Sequence, residues 1–335
     1  RRWVAMGHKV TVFCGNDQDS RRYETISGVW VIRRGGFYTV YIWAFLYYMR
    51  HLRGKYDIII DSENGLPFFT PLYAREKVYL LIHHVHQEVF RKTLKPPFSW
   101  LAQALERRVM PIVYRNTEVI TVSPSSKSAI LENCLTKKDP HVIYNGVDLG
   151  LCKPGRKSQH PTVLYLGRLT TAKSLYVLIE AAKKIRKWVP QVTITIAGDG
   201  PDRERLKKLT QKLGVDEFVI FVGKVTETVK VSLYQRTWIF VNPSLIEGWG
   251  ITTIEANACG TPVVASNVAG LRDAVHNPYS GLLIPYGNVD EFASNITKLL
   301  IETKTRQLMS NESIEWAKKF DWDKSANKSI EIFQA

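Results

Sequence analysis

The chain has 335 residues, 45% hydrophobic and 23% charged, proportions that exclude a disordered, collagen-like or coiled-coil chain and that suggest, with the length, two domains. Its 46 Lys and Arg against 31 Asp and Glu give a net charge of +15, which calls for an anionic partner such as nucleic acid, nucleotide phosphate or an acidic membrane surface. The excess is shared: 21 basic and 13 acidic residues fall in 1–150, and 25 and 18 in the remainder, so there is no basic arm and nucleic acid is disfavoured.

Arg1 to His8 has neither an initiator Met nor a signal peptide's apolar stretch, and reads as a chain that begins inside an element. Strands are expected at Val10–Phe13, Val29–Ile32, Ile58–Ile60, Val78–Ile82, Val119–Val122 and Val142–Tyr144. A second series follows at Val163–Leu166, Val192–Ala197, Phe218–Val222, Trp238–Val241, Pro262–Ala265 and Leu282–Ile284. Nearly continuous apolar runs suit parallel strands covered on both faces. Between them, Leu175, Leu178, Ile179, Ala182 and Ile185 recur at helical spacing, with Lys183, Lys184, Arg186 and Lys187 turned outward. The pattern is α/β, a doubly wound sheet occurring twice, and ligands then belong at the carboxyl ends of the strands. Residues 151–161, polar and broken by Pro154, Gly155 and Pro161, read as the linker. Cys14, Cys134, Cys152 and Cys259 are isolated beside apolar runs and read as reduced, buried thiols of an intracellular protein.

Several loops after strands carry chemistry. Gly167-Arg168-Leu169-Thr170-Thr171-Ala172-Lys173 precedes a helix, and its two cations can hold a diphosphate. Gly198-Asp199-Gly200-Pro201 is a tight turn; Arg203 stands where a dinucleotide fingerprint has its third glycine, which weakens an NAD-dependent oxidoreductase reading. Glu247-Gly248-Trp249-Gly250 leads into a helix beginning near Ile251 and ending at Gly260, with Glu255 inside it. Two carboxylates with seven residues between them can accept hydrogen bonds from the hydroxyls of a polyhydroxylated ligand. His83-His84-Val85-His86 offers zinc ligation, acid–base chemistry or cleft lining, without a matching Cys or His cluster to close a zinc site. Asp61-Ser62-Glu63-Asn64-Gly65 reads as an acceptor-side loop. Asp17-Gln18-Asp19 and Asp321-Trp322-Asp323 are DxD strings that read as surface acids, so no metal site is expected. Phe37–Met49 is aromatic and flanked by Arg33, Arg34, Arg50 and Arg53; a partly buried helix is the simpler account, membrane docking the other.

Four motifs in order, Val-Ile-Tyr-Asn-Gly-Val-Asp at 142–148, Tyr-Leu-Gly-Arg-Leu from 165 on to Lys173, Ile-Ala-Gly-Asp-Gly-Pro at 196–201, and Pro243-Ser-Leu-Ile-Glu-Gly-Trp-Gly through Glu255 to Gly260-Thr-Pro, resemble the family-4 retaining glycosyltransferases of the GT-B fold. The resemblance implies two Rossmann-like domains facing a cleft: an acceptor-side domain 1–155, a nucleotide-sugar domain 156–318, and a C-terminal helix in 319–335 packing back on the first. It also implies that the family's first strand and glycine-rich loop are missing from the start of this chain. Arg168 and Lys173 match the diphosphate-binding pair, Glu255 the ribose carboxylate, and Glu247 with the backbone of Gly248, Trp249, Gly250 and Ile251 the donor-sugar contacts; Gly200 and Val225 lie near the base. His83 aligns best with the histidine that touches donor sugar or acceptor, with His84 and His86 as alternatives. Ser174 replaces the usual glycine after Lys173, an acceptable change at a helix start.

The implied reaction moves a sugar from a UDP-, GDP- or ADP-sugar to a carbohydrate, lipid-linked or small-molecule acceptor hydroxyl, with retention and no required metal or cofactor. The expected location is cytoplasmic, with peripheral contact at the inner membrane face as an option. A nucleotide-sugar epimerase of the same fold and a catalytically silent nucleotide-sugar-binding protein are the alternatives.

Overall fold

The computed structural model describes residues 1–16, 20–63, 65–87, 90–91 and 94–334. They form two compact units, one of Arg1–Ile143 with Asp323–Ala335 and the other of Tyr144–Trp322.

The second unit is built on one parallel sheet. Its strands are β8 (Thr162–Leu166), β9 (Thr193–Ala197), β10 (Val219–Gly223), β11 (Ile239–Asn242), β12 (Val263–Ser266) and β13 (Gly281–Ile284). They lie in the order β10-β9-β8-β11-β12-β13. Every residue of β11 and β12 is buried, as expected of central strands with helices on both faces. The Tyr176–Trp188 helix turns Val177, Leu178, Ile179, Ala181, Ala182 and Ile185 inward, against Phe292 and Ile296 of the Val289–Ile301 helix and the strand side chains. Arg186, expected outside, instead folds back: its guanidinium lies 4.7 Å over the Phe218 ring and donates to the Val192 carbonyl at 3.1 Å. Its aliphatic stem then covers core edge while the charge keeps a partner. Residues 151–161, read above as a linker, pack on this unit, with Lys157 donating to Thr261 Oγ1 at 2.6 Å and Trp238 Nε1 to the Ser158 carbonyl at 2.9 Å.

The first unit departs further from expectation. Its strands fall into two sheets, β1 (Thr11–Cys14), β3 (Val29–Arg33) and β2 (Tyr23–Ile26) in one, and β4 (Ile58–Glu63), β5 (Lys77–Ile82), β6 (Glu118–Thr121) and β7 (His141–Val142) in the other. The second is wholly parallel, but β2 runs antiparallel to β3 and was not anticipated. Ser27 and Gly28 between them have φ of 50° and 81°, the paired positive values of a two-residue hairpin turn. Such a Ser-Gly step between two β-branched runs was the available signal. The Trp322–Gln334 helix packs on this unit: the Phe333 ring stands 4.8 Å from Tyr79 and 5.6 Å from Trp3, and Trp3 Nε1 donates to Ser329 Oγ at 2.9 Å.

Two cysteine expectations fail. Cys134 is exposed, in a left-handed conformation just past the Pro124–Glu132 helix, and Cys14 is half-buried; only Cys152 and Cys259 are buried, with their thiols in mutual contact. Asp17, Gln18 and Asp19 lie outside the described residues.

The loops above β8, β9 and β10 are laced together through backbone. Gly167 N donates to the Ala197 carbonyl, Leu169 N to Asp199, Asp202 N to Leu169 and Gly198 N to Gly223, at 2.7–3.0 Å. That spacing leaves no room for a Cβ at Gly198, which has φ of +130° and would place one 1.9 Å from the Gly167 oxygen. Gly198→Ala should therefore lose at least about 2 kcal/mol, some 4–8 °C of Tm. Gly214→Ala, at φ +64° with nothing within 4 Å, should cost about 1 kcal/mol. Thermal unfolding of the two variants checks the difference; equal losses would contradict the packing account.

Candidate active site

In the second unit the strand order reverses between β8 and β11: the chain winds outward through β9 and β10, then returns to lay β11 on the other side of β8. Loops diverge at such a point and leave room for a ligand. The loop after β8 carries Arg168, exposed and without an ion pair among the described residues, and then the turn Thr171–Lys173. Leu245 N, after β11, donates to the Ala172 carbonyl at 2.9 Å and ties the two loops together. Lys173 Nζ reaches across to Glu247 Oε1 in a half-buried ion pair. Glu247 Oε1 is also 3.2 Å from Ser244 Oγ, which donates to Asn242 Oδ1 at 2.7 Å. The carboxylate is thus held from the end of β11 while its charge partner comes from the loop after β8.

Ser174 is not at a helix start. It adopts φ 49°, ψ 36°, left-handed, where the family's glycine would be unstrained, and its hydroxyl lies 3.0 Å from Tyr286 Oη. Gly250 caps the Ile251–Ala258 helix at φ 78°, so the first N–H groups of that helix rise beside the Glu247 loop. The Trp249 side chain is turned into the unit, 2% exposed, against Tyr144 and Phe320 with ring centroids 4.9 Å away. Only its backbone is on offer to a ligand, together with Gly248, Gly250 and Ile251. Gly200 lies against the Leu169 backbone, where a Cβ would come within 2.3 Å of the carbonyl oxygen. Val225, between β10 and the Glu227–Arg236 helix, is partly exposed.

Glu255 has partners that the sequence reading missed. Lys230 Nζ contacts its Oε1 at 2.8 Å and Tyr234 Oη donates to its Oε2 at 3.0 Å. Burial opposes the charge on Lys230, but Glu227 and Glu255 outweigh it and hold the ammonium above its ordinary range. Lys230 and Tyr234, four apart on the Glu227–Arg236 helix, were the legible signal.

In the first unit, β4 runs on through Asp61, Ser62 and Glu63, so the loop expected there begins only after residue 63. Asp61 is buried and accepts from Phe68 N, Thr70 N, Thr70 Oγ1 and Tyr114 Oη, which makes it a fastener of the following turn. Asn64 lies outside the described residues. After β5, His83 is partly buried, and burial together with His86 lowers its pKa, so the imidazole is neutral near pH 7. Ser126 Oγ fixes that turn by donating to the His83 carbonyl at 2.8 Å. His84 packs on His86 at 4.1 Å between centroids, and His86 is buried against Phe90. Among the described residues one group has the proximity of a metal site, Glu63, His86 and Glu106. The sequence search for Cys and His partners passed over it because two of its members are carboxylates remote in the chain. The other DxD string is committed elsewhere, since Asp323 forms an ion pair with Arg2 at 2.7 Å.

Residues 1–151 match the family described as Glycosyltransferase Family 4, and residues 152–316 that described as Glycosyl transferases group 1. A D-inositol 3-phosphate glycosyltransferase of Kribbella flavida is 30% identical over 314 residues, 84% of this chain and 72% of that protein. The chain belongs to the family-4 glycosyltransferases. Another relative, an uncharacterised glycosyltransferase of Methanocaldococcus jannaschii, is 31% identical over 237 residues; the alignment takes in 66% of this chain and 60% of that protein's length. Among solved structures, the sucrose-phosphate synthase of Thermosynechococcus elongatus superposes with a TM-score of 0.84 at 22% identity, covering 99% of this glycosyltransferase-family chain and 90% of the other. Anabaena HepE in complex with UDP-glucose gives 0.72 at 22% identity, over 88% and 82%. The fold is GT-B.

Proposed function

We propose that the chain transfers a sugar from a nucleoside-diphosphate sugar to an acceptor hydroxyl, with retention of configuration. The observation that carries this reading is the ion pair of Lys173 with Glu247 at the β8/β11 switch point, next to an Arg168 that has no ion pair among the described residues. As the glycosidic bond breaks, positive charge develops on the sugar and negative charge on the diphosphate. Fixed cations beside the leaving group stabilise that separation more than the ground state. In this reading Arg168 and Lys173 receive the diphosphate, Glu255, steadied by Lys230 and Tyr234, accepts from the ribose hydroxyls, and Glu247 turns to the sugar. Gly200 and Val225 border the base, and His83, neutral and therefore able to accept a proton or hydrogen bond, belongs to the acceptor side. The donor is a UDP-, GDP- or ADP-sugar, and no metal ion or cofactor is assigned a role in the chemistry.

Release of free nucleotide from a panel of these donors, with and without acceptor extracts, tests the reading. Arg168→Ala and Lys173→Ala should each lower kcat by about 10²–10³-fold; wild-type rates in both would overturn it. Acceptor-independent conversion of the donor to an epimer would favour the epimerase, and binding without turnover the silent binding protein.

One surface favours a lipid-linked acceptor among the three classes, and with it a cytoplasmic location at the inner membrane face. The Val40–Tyr47 helix buries only Val40 and Ala44, leaving Phe37, Tyr38 and Ile42 at 80%, 76% and 62% exposure beside Trp43, Leu46 and Met49. The helix is partly buried, as expected from sequence, and its outward face is apolar, with Arg50 and Arg53 following it. No helix of the described residues is long and apolar enough to cross a membrane. The protein should co-sediment with vesicles containing anionic lipid and be released by Ile42→Asp with Leu46→Asp; equal pelleting of the variant would contradict this surface role.

A further inference from the structure

Three remote segments of the first unit meet at the carboxyl end of its parallel sheet. Glu63 is the last residue of β4, His86 follows the end of β5, and Glu106 lies in the helical turn Leu105–Val109. The side chains of Glu63 and Glu106 are fully buried and that of His86 is 7% exposed. His86 Nδ1 is 3.4 Å from Glu63 Oε1 and 3.8 Å from Glu106 Oε1, and one ligand atom from each residue lies within 4.8 Å of the others.

The cluster has few donors for the acceptor atoms it gathers. Among the described residues, no N–H or hydroxyl donates to Glu63, whose carboxyl faces that of Glu106 within hydrogen-bonding reach, and His86 Nδ1 has no hydrogen-bond partner. Glu106 is oriented by the His86 N–H at 2.6 Å and by Gln87 Nε2, so its carboxylate is aimed rather than free to rotate. Two carboxylates and a bare imidazole nitrogen, buried and facing one another, are costly unless a positive charge stands between them.

We propose that Glu63, His86 and Glu106 form a buried divalent-cation site, with Zn²⁺ as the ion whose chemistry fits best. One nitrogen and two oxygens are borderline-to-hard donors that zinc accepts at roughly 2.0–2.2 Å, and a tetrahedral ion at that range separates its ligand atoms by about 3.3–3.5 Å. The 3.4 and 3.8 Å separations need little adjustment. The ion would replace the two carboxyl protons and leave the site neutral, and His86 would ligate through Nδ1 with its proton on Nε2. Its effect is positional: it clamps β4 to the loop after β5 and so fixes the segment that begins with His83. The three ligands all belong to the first unit, and the proposal stands whether or not the transferase reading does.

The test is metal content. Protein stripped with chelator, incubated with excess ZnCl₂ and desalted should retain about one zinc per chain by plasma mass spectrometry. Glu63→Gln and His86→Asn should each retain at least about tenfold less, while Glu118→Gln, a surface carboxylate paired with Lys138, retains zinc like the wild type. X-ray absorption at the zinc edge of the wild-type protein needs no variant to fold, and should show a first shell of nitrogen and oxygen only. Absence of zinc from the wild type, retention unchanged in both variants, or sulfur in the first shell would each overturn the site and point instead to a proton-sharing carboxyl pair or to thiol binding.

Discussion

Strand β8 is hydrogen-bonded to β9 on one side and β11 on the other, and the proposed donor-side edge follows from that placement. A strand that starts the unit yet lies at its middle forces the next two strands to one side and the fourth to the other. The loops after β8 and β11 become neighbours although 74 residues separate Lys173 from Glu247. The ion pair is available only because of that reversal, and so is the gap between diverging loops in which a ligand can sit. The glycine turns serve the same end. Gly198 and Gly200 let the loop after β9 lie flat against the loop after β8, and Gly250 lets the chain turn into a helix whose N–H groups face the gap.

Charge is handled in two distinct ways in this chain. In the second unit, carboxylates and cations are matched one to one or nearly so and partly exposed: Lys173 with Glu247, Lys230 with Glu227 and Glu255. Partly solvated pairs of this kind contribute little to stability; in the proposed reading they keep a cation at a fixed place for an anionic ligand. The first unit has such pairs too, Arg2 with Asp323 and Lys138 with Glu118, and in addition gathers Glu63 and Glu106 in its interior beside His86. Much of the net charge of +15 takes part in neither arrangement and belongs to solvated surface.

The parallel strands were legible because buried strands need apolar residues at almost every position, and each of the twelve expected runs from Val10–Phe13 to Leu282–Ile284 overlaps an observed strand, with the Ile58–Ile60 run extended to Glu63 and the Val142–Tyr144 run shifted to His141–Val142. What escaped depends on contacts that local patterns do not carry. β2, with Tyr23 and Ile26 both exposed, lacks the apolar density that marks a buried strand and was betrayed only by its Ser-Gly turn. Arg186 reads as a surface cation by helical period, yet packs on Phe218, 32 residues on. Trp249 stands inside the richest motif and still belongs to the core through its indole. Glu63 and Glu106 are 43 positions apart, and nothing in either neighbourhood announces that β4 and a helical turn bring them to the same histidine.

The central claim, that the β8/β11 edge of the second unit receives a nucleoside diphosphate, is tested most directly by equilibrium titration of UDP, GDP and ADP against the protein and its Lys173→Glu variant. The account predicts that at least one diphosphate binds with a Kd between about 1 μM and 1 mM, and that reversing the charge at Lys173 weakens it by at least about tenfold. Absence of binding for all three nucleotides, or equal affinity in the variant, would contradict it.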